Sequence, residues 1–403
     1  MNIGMILDKT FPPDPRVENE ARQLIKHGHK VFLFCLNFTN QPEFEIINNI
    51  AVYRYKFSKK LYKKISPLAY TIPLYHWILK KKIIQFLEKV SIDVLHIHDM
   101  TAAHSVFKLH ISAPKILDIH ENQPEIMKSY THVINGIGKY LINPKKWKKK
   151  ECSFIKKADK TIVVTPEAKQ YYLHNIKRLK EEDIIYAPNT VDLDIFLNYT
   201  IKSEILHKFK DNFILLYLGS VAKRRGIDTV IKGINILKSK IPDIKFVVVG
   251  GNTRDITELK KMIYNLKINN YVCFEGWQHL SLFPSYIKSS DICVSPLKRN
   301  IHHDTTLANK LFQYMSIGKP VVVSDCPAQA NIVKSNNCGL VYTASDADDF
   351  AKQVLTLYKD DVLRENMGRN SKKTVKEKYN WGKTGNYLVE FYQSLVVTKQ
   401  ERN

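Results

Sequence analysis

Lys310 is the residue whose type and setting most clearly point to chemistry. It stands in TTLANKLFQYMSIGKP, residues 305–320. Leu311, Phe312 and Met315 fall at helical spacing, Gly318 suits the left-handed position after a last turn, and Pro320 ends the run before the apolar Val321–Val323. A helix starting near Asn309 leaves backbone N–H groups unpaired, with the positive dipole end facing the loop from Thr306 and Leu307. That end suits an anionic ligand, a nucleotide diphosphate above all. The alternative is an ordinary helix–strand unit whose lysine faces water.

Other candidates sit where apolar runs give way to loops. Arg225 precedes Gly226 and follows the run Phe213–Leu218, which ends in Gly219. It suits a phosphate; a solvated residue at a helix start is the other reading. His120 ends Ile116–Ile119, and His98 with Asp99 ends Val94–Ile97. Their side chains belong at the carboxyl ends of strands, where such sheets bind ligands. A structural histidine bonded to backbone is the plainer role for His120. Arg16 lies in a loop stiffened by Pro12, Pro13 and Pro15, with phosphate contact and solvation equally open.

The elements that must position these residues alternate. Short apolar strands at about 3–7, 31–35, 51–55, 94–97, 116–119 and 161–164 are separated by helical stretches, including one from about Val17 to His27. The alternation restarts after the turn-rich Ala187-Pro188-Asn189-Thr190, with strands near 213–218, 246–250, 272–274, 292–295, 321–324 and 339–342. The pattern predicts an α/β chain of two Rossmann-like, doubly wound parallel-sheet domains with a site in the cleft they face. Residues 1–190 form the first, 191–380 the second, and a C-terminal helix in 381–403 packs back toward the first.

At 403 residues with 44% hydrophobic content the chain can fill two cores. Six scattered cysteines lack Cys-x-x-Cys pairs, and no metal-ligand spacing appears, so reduced thiols in a cytoplasmic protein are expected. The N-terminus lacks a basic leader and reads as a strand, and no apolar run is long enough to span a membrane. The formal charge is +23, and residues 46–87 contain no Asp or Glu. Lys59, Lys60, Lys63, Lys64 and Lys80–Lys82 mix there with Tyr62, Tyr70, Tyr75 and Trp77, and a second cluster is Lys145–Lys150 around Trp147. This composition suits an anionic membrane surface, each lysine near the headgroups contributing roughly 1 kcal/mol. A solvated lysine face is the bland alternative and nucleic acid the least favoured.

In their order, six pieces make the chain resemble the GT-B glycosyltransferases, specifically the retaining family 4 and its bacterial polysaccharide members. They are PDPRVENEA (13–21) closed by Gly28-His29; His96-Ile97-His98-Asp99 with Asp118-Ile119-His120-Glu121; Pro188-Asn189-Thr190-Val191-Asp192; Leu218-Gly219-Ser220-Val221 with Arg225-Gly226; Phe274-Glu275-Gly276-Trp277; and Asn309–Met315 through Gly318-Lys319-Pro320. The resemblance implies transfer of a sugar from a nucleotide-diphosphate donor to a glycan or lipid-linked acceptor, in cell-surface polysaccharide synthesis at the inner face of the membrane. The donor is a substrate, and neither cofactor nor metal is required. It implies that Arg225 and Lys310 hold the diphosphate with Gly219, Thr306, Leu307 and Asn309. Gly276 and Trp277 would hold the base, unless Trp277 has a core role. Gln313 would meet the ribose, and Arg16, His98 and Asp99 line the acceptor side. His120 would approach the reacting sugar.

One departure stands out. Thr305 and Gln313 occupy the positions of two glutamates that many family members carry. Gln313 keeps one carbonyl acceptor, and a one-residue shift would let Asp304 serve at the sugar. The alternatives are a GT-B binding partner that has lost activity and an enzyme like the nucleotide-sugar 2-epimerases.

Overall fold

The computed structural model describes residues 1–130, 133, 138–251 and 253–400. The chain divides into two units, residues 1–188 with 384–403, and residues 189–383.

The first unit is built on an eight-stranded sheet in the order β3-β4-β2-β1-β5-β6-β7-β8. The strands are β1 (Asn2–Ile6), β2 (Lys30–Asn37), β3 (Phe44–Ile47), β4 (Ile50–Lys56), β5 (Val94–His98), β6 (Lys115–Ile119), β7 (Lys160–Val163) and β8 (Ile184–Tyr186). All neighbours run parallel except β3 and β4, which form an antiparallel edge hairpin. Both faces are covered. Ile6, Phe34, Leu95 and Ile97 belong to one buried cluster, and Ile3, Met5, Leu33 and Val94 to the other. Strands buried on both faces read as continuous apolar runs, which is why β1, β2 and β5 stand out in the sequence while the exposed β3 does not.

The second unit repeats the scheme with six parallel strands, order β11-β10-β9-β12-β13-β14. They are β9 (Phe213–Leu218), β10 (Ile244–Val249), β11 (Val272–Gly276), β12 (Ile292–Ser295), β13 (Val321–Ser324) and β14 (Gly339–Tyr342). Leu215 and Tyr217 pack on one face, Ile214, Leu216 and Leu218 on the other. The sheet reverses direction of winding between β9 and β12, the kind of switch point at which ligands enter open α/β sheets.

Three local outcomes bear on the site. The first helix spans Pro15–Lys26, starting earlier than the Val17 expected. Asp14 caps it by accepting from Val17 N–H, and Pro15 sits in its first turn, so Arg16 is a helical residue rather than part of the proline loop. The basic stretch forms the helix Lys59–Ile65 behind its Ser58 cap, followed by the helix Leu74–Leu87. The tail forms three helices, Ala347–Lys359, Asp361–Glu377 and Trp381–Gln400. From the last of them, Leu388, Val389 and Tyr392 are buried among first-unit residues such as Leu24, Leu33 and Ile162.

Candidate functional site

In the second unit the residues around 305–320 form a compact cationic corner. The helix Asn309–Ser316 begins as expected at Asn309, and its N-cap residue Ala308 provides no side-chain cap. The first N–H groups therefore face outward without the usual Ser, Thr or Asp oxygen. Lys310 Nζ donates to Leu218 O at 3.0 Å and lies 3.4 Å from the Tyr217 ring centroid. Tyr314, one turn on, accepts the Leu218 backbone N–H at its hydroxyl oxygen at 2.7 Å, which locks the helix to the end of β9. Gly219 follows at φ +113°, turning the chain away.

Arg225 closes the short turn Lys223–Arg225 beside this corner. Gly226 stands at φ +75°, where a Cβ would lie 1.7 Å from Pro296 O, so no other residue fits there. Arg224 Nη1 meets His303 Nε2 at 3.3 Å and ties the turn to the helix Ile301–Thr305. Among the described residues no acid pairs with Lys310. Burial, and next the Arg225 charge, hold its ammonium well below the ordinary lysine range. Burial and the neighbouring cations keep His302 and His303 neutral, at about 2 and about 4. Such a corner gains when an anion arrives.

The remaining donor-side candidates fall as follows. Asn309 Nδ2 donates to Thr190 O at 3.2 Å, bringing the joint sequence to the helix start, while its Oδ1 is buried without a partner. Gln313 lies one turn further along the helix on the same side. Thr306 Oγ1 donates to His302 O at 2.7 Å, and Thr305 Oγ1 to Ile301 O at 2.7 Å. Leu307 packs on the second unit's core. Gly276 ends β11 at φ +66°. Trp277 is 77% exposed, which corrects the core reading of its ring. Asp304 is clasped by Arg299 through two contacts of 2.7 and 3.1 Å.

In the first unit a buried polar network gathers at the carboxyl ends of β5 and β6. Residues two apart on a strand share a face, so His96 and His98 stack (ring centroids 4.3 Å) and Asp118 and His120 point the same way. His120 Nε2 lies 3.1 Å from Asp118 Oδ2 and 3.2 Å from His98 Nδ1. Its ring Nδ1 is 3.7 Å from Asp99 Oδ2, and Asp99 Oδ1 accepts its backbone N–H at 3.3 Å. Asp99 reaches this position from φ +63°, a left-handed conformation that aspartate tolerates. Lys9 completes the pair to Asp99 at 3.2 Å.

Burial works against a charge on His120, but Asp99 and Asp118 outweigh it and raise its imidazole to about 9. Burial likewise opposes ionised Asp118, yet Arg16 and His120 hold its carboxyl well below the usual range. His98 is driven well below 6.5 by burial and its histidine neighbours, so it accepts at Nδ1. Arg16 is corrected by the structure. It is 3% exposed, donating through Nε and Nη2 to Asp118 (3.0 Å each) and through Nη1 to Ala187 O at 3.1 Å, with Glu20 Oε1 3.0 Å from Nε. Its guanidinium is turned to protein partners rather than to solvent.

Four residues that sequence spacing did not single out as ligands, Glu20, His96, His98 and Asp118, bring one potential metal-binding atom each within 4.8 Å of one another. Charge decides against a cation here. Burial pushes the Glu20 carboxyl up to about 8, so at neutral pH it is largely protonated, and Arg16, Lys9 and protonated His120 already more than match Asp99 and Asp118; Arg16 also occupies the carboxyl groups a dication would need. The donor set fits a closed proton and ion-pair network. Glu20, His96 and Asp118 are the site members the sequence reading missed as such. Their signal was present in the two-residue spacing of His96 with His98 and of Asp118 with His120.

Comparison with known proteins agrees across both units. Residues 16–195 match the family described as Glycosyltransferase Family 4, and residues 198–374 match Glycosyl transferases group 1. An uncharacterized glycosyltransferase of Methanocaldococcus jannaschii is 22% identical, the match covering 94% of this chain and 95% of that protein. A capsular polysaccharide biosynthesis glycosyltransferase of Staphylococcus aureus is 25% identical over 44% of this chain and 45% of its own length. Among solved structures, sucrose-phosphate synthase from Thermosynechococcus elongatus superposes with a TM-score of 0.78 at 16% identity, covering 99% of this chain and 100% of that one. Anabaena HepE in complex with UDP-glucose gives 0.71 at 13% identity, covering 98% and 100%.

Proposed function

The chain belongs to the family 4 glycosyltransferases of the GT-B fold, and from that premise we propose that it moves a sugar, with retention, from a nucleotide-diphosphate donor to a glycan or lipid-linked acceptor. The observation that carries this reading is the pair Lys310 and Arg225. They are two neighbouring basic side chains at an uncapped helix start, and Lys310 has a backbone oxygen and a ring for company rather than an acid.

The chemistry follows from charge. As the bond between the sugar carbon and the diphosphate oxygen breaks, negative charge grows on the leaving group. Lys310, Arg225 and the N–H groups from Thr306 to Lys310 stabilise it without a divalent ion. The acceptor hydroxyl attacks from the face the diphosphate leaves, forming the new carbon–oxygen bond, and its proton passes to the departing phosphate oxygen. His120, cationic at neutral pH, donates a hydrogen bond at the reacting sugar and does not serve as a base. Gln313 meets the ribose, and Gly276 with exposed Trp277 the base. Asp304, shared with Arg299, is assigned to the sugar hydroxyls, an assignment that unchanged turnover in Asp304→Ala removes.

A polysaccharide role with a lipid-linked acceptor at the cytoplasmic face of a membrane is the setting we favour. The Staphylococcus aureus relative's capsular role and the surface of the first unit support it. No described helix is long and apolar enough to cross a membrane. Thr71 Oγ1 donates to Leu141 O at 2.5 Å, placing two exposed apolar stretches side by side: Ile72, Leu74 and Trp77 (59% exposed) against Tyr140 (84%) and Leu141. Lys59–Lys64 and Lys80–Lys82 adjoin the first stretch in sequence, and Lys145–Lys150 the second. Lys145, Lys148 and Lys149 line a cavity of about 600 Å³ with Lys128 and Lys156. The deciding experiment is a donor panel read by thermal shift and by release of nucleoside diphosphate. A bound donor raises the transition by mass action. If no nucleotide sugar shifts the protein or is consumed, the transfer reading fails.

A further inference from the structure

We propose that Arg16 is a positioning residue that sets the orientation and proton of His120 by clasping Asp118 from beneath. The inference rests on the reading of His120 as a group that meets the substrate. Asp118 Oδ2 is the shared atom: it receives Arg16 Nε at 3.0 Å and His120 Nε2 at 3.1 Å. Arg16 Nη2 holds the other oxygen, Oδ1, so the carboxylate is gripped in the plane of the guanidinium and cannot rotate. The third arm reaches Ala187 O, just past β8, and Glu20 lies against Nε. One side chain thus ties the first helix, the end of β6 and the exit of the sheet into a fixed base under a single imidazole.

The division of exposure supports a positioning role. His120 keeps 13% of its side chain open, whereas Arg16, Asp118 and Glu20 are sealed. The groups facing His120 come from every element around it. Asp118 lies on its own strand, His98 on β5, Asp99 on the following helix with Lys9 behind it, and Arg16 and Glu20 on the first helix. His96, stacked on His98, places Nε2 3.6 Å from Asp118 Oδ2 and 3.7 Å from Glu20 Oε2. It meets Tyr392 hydroxyl at 2.6 Å through Nδ1. Tyr392 donating there leaves a proton on His96 Nε2, directed at the two carboxylates. The opposite tautomer would aim a lone pair at them. The single Nε2–H of protonated His120 lies between Asp118 Oδ2 and His98 Nδ1, a shared bond in which both accept. Arg16 is the permanent positive charge in this network.

The roles of charge and clasp have opposite signatures. Asp118 raises the His120 imidazole and Arg16 lowers it. In the full-length protein with 13C-labelled histidine, assigned with His120→Gln, His120 is expected to titrate near 9. Asp118→Asn should move it down by about one pH unit or more, and Arg16→Gln should move it up. Arg16→Lys keeps the charge and loses the two-armed grip. Its expected signature is a small change in titration with kcat down about tenfold or more and donor KM unchanged. Wild-type His120 titrating near its ordinary 6.5 overturns the network without any variant. Arg16→Lys with wild-type kcat overturns the positioning role even if the titration stands. The reading beneath fails separately: His120→Gln with unaltered turnover removes His120 from the reaction while leaving the titration results untouched.

Discussion

Two single residues carry the electrostatics, and each makes a measurable claim. Lys310 is disfavoured as a cation by burial and by Arg225. A diphosphate reverses that balance, so donor binding should take up a proton over the range between the lowered Lys310 value and the ordinary lysine one. Calorimetry in two buffers of different ionisation enthalpy reads the uptake directly, and equal heats would refute it. Lys310→Ala should lower kcat by roughly 10²–10³-fold, a barrier increase of about 3 kcal/mol, by analogy with other preorganised donors to a developing oxyanion. His120 works in the opposite sense, raised from 6.5 to about 9 by Asp99 and Asp118 against burial. A raised folded-state value contributes stability fully present below 6.5 and lost as pH rises through about 9. Turnover should fall over the same upper range, and denaturant unfolding at neutral and alkaline pH should show the matching loss. A flat profile up to about pH 10 would mean that His120 is not the cation described.

At the scale of elements, the loops that carry the site depend on a few backbone positions and on one distant helix. Gly226 starts the helix Ile227–Leu237 from φ +75° with Pro296 O pressed against it. Gly226→Ala must both strain that conformation and push Pro296 away. A loss of at least about 1–3 kcal/mol in unfolding free energy is expected, with weakened donor binding because Arg225 is the preceding residue. The C-terminal helix has the comparable part in the first unit. Leu388 is fully buried, and Leu388→Ala should cost about 2–5 kcal/mol, read as a lowered urea midpoint at unchanged slope. Its neighbour Tyr392 reaches His96, so that helix also supports the polar network.

For the molecule as a whole, the charge of +23 is concentrated where acids are missing, and the exposed Trp77 and Tyr140 lie in the same stretches. Sedimentation with vesicles should therefore require anionic lipid and decline as salt rises. Neutralising Lys59, Lys60, Lys63 and Lys64 should weaken it by several kcal/mol at low ionic strength, at roughly 1 kcal/mol per lysine. Equal binding to neutral vesicles would reject the electrostatic account.

The positions of most strands and the start of the helix at Asn309 were legible because they rest on local signals. Those signals are apolar runs buried on both faces, a glycine where φ must be positive, and a proline where a helix must end. β3 and β8 escaped because an exposed edge strand and a three-residue strand carry too little of that pattern. The roles of Arg16, Glu20, His96 and Asp118 were hidden for a different reason. Arg16 and Asp118 are 102 residues apart, and Tyr392 stands 296 beyond His96. Whether a polar residue meets solvent, a ligand or a buried partner depends on which chain segments fold against it. Sequence determined the kind of scaffold and the cationic corner. Tertiary structure alone decided that an arginine open to either phosphate contact or solvation is sealed beneath a histidine, because burial and pairing are properties of three-dimensional neighbours.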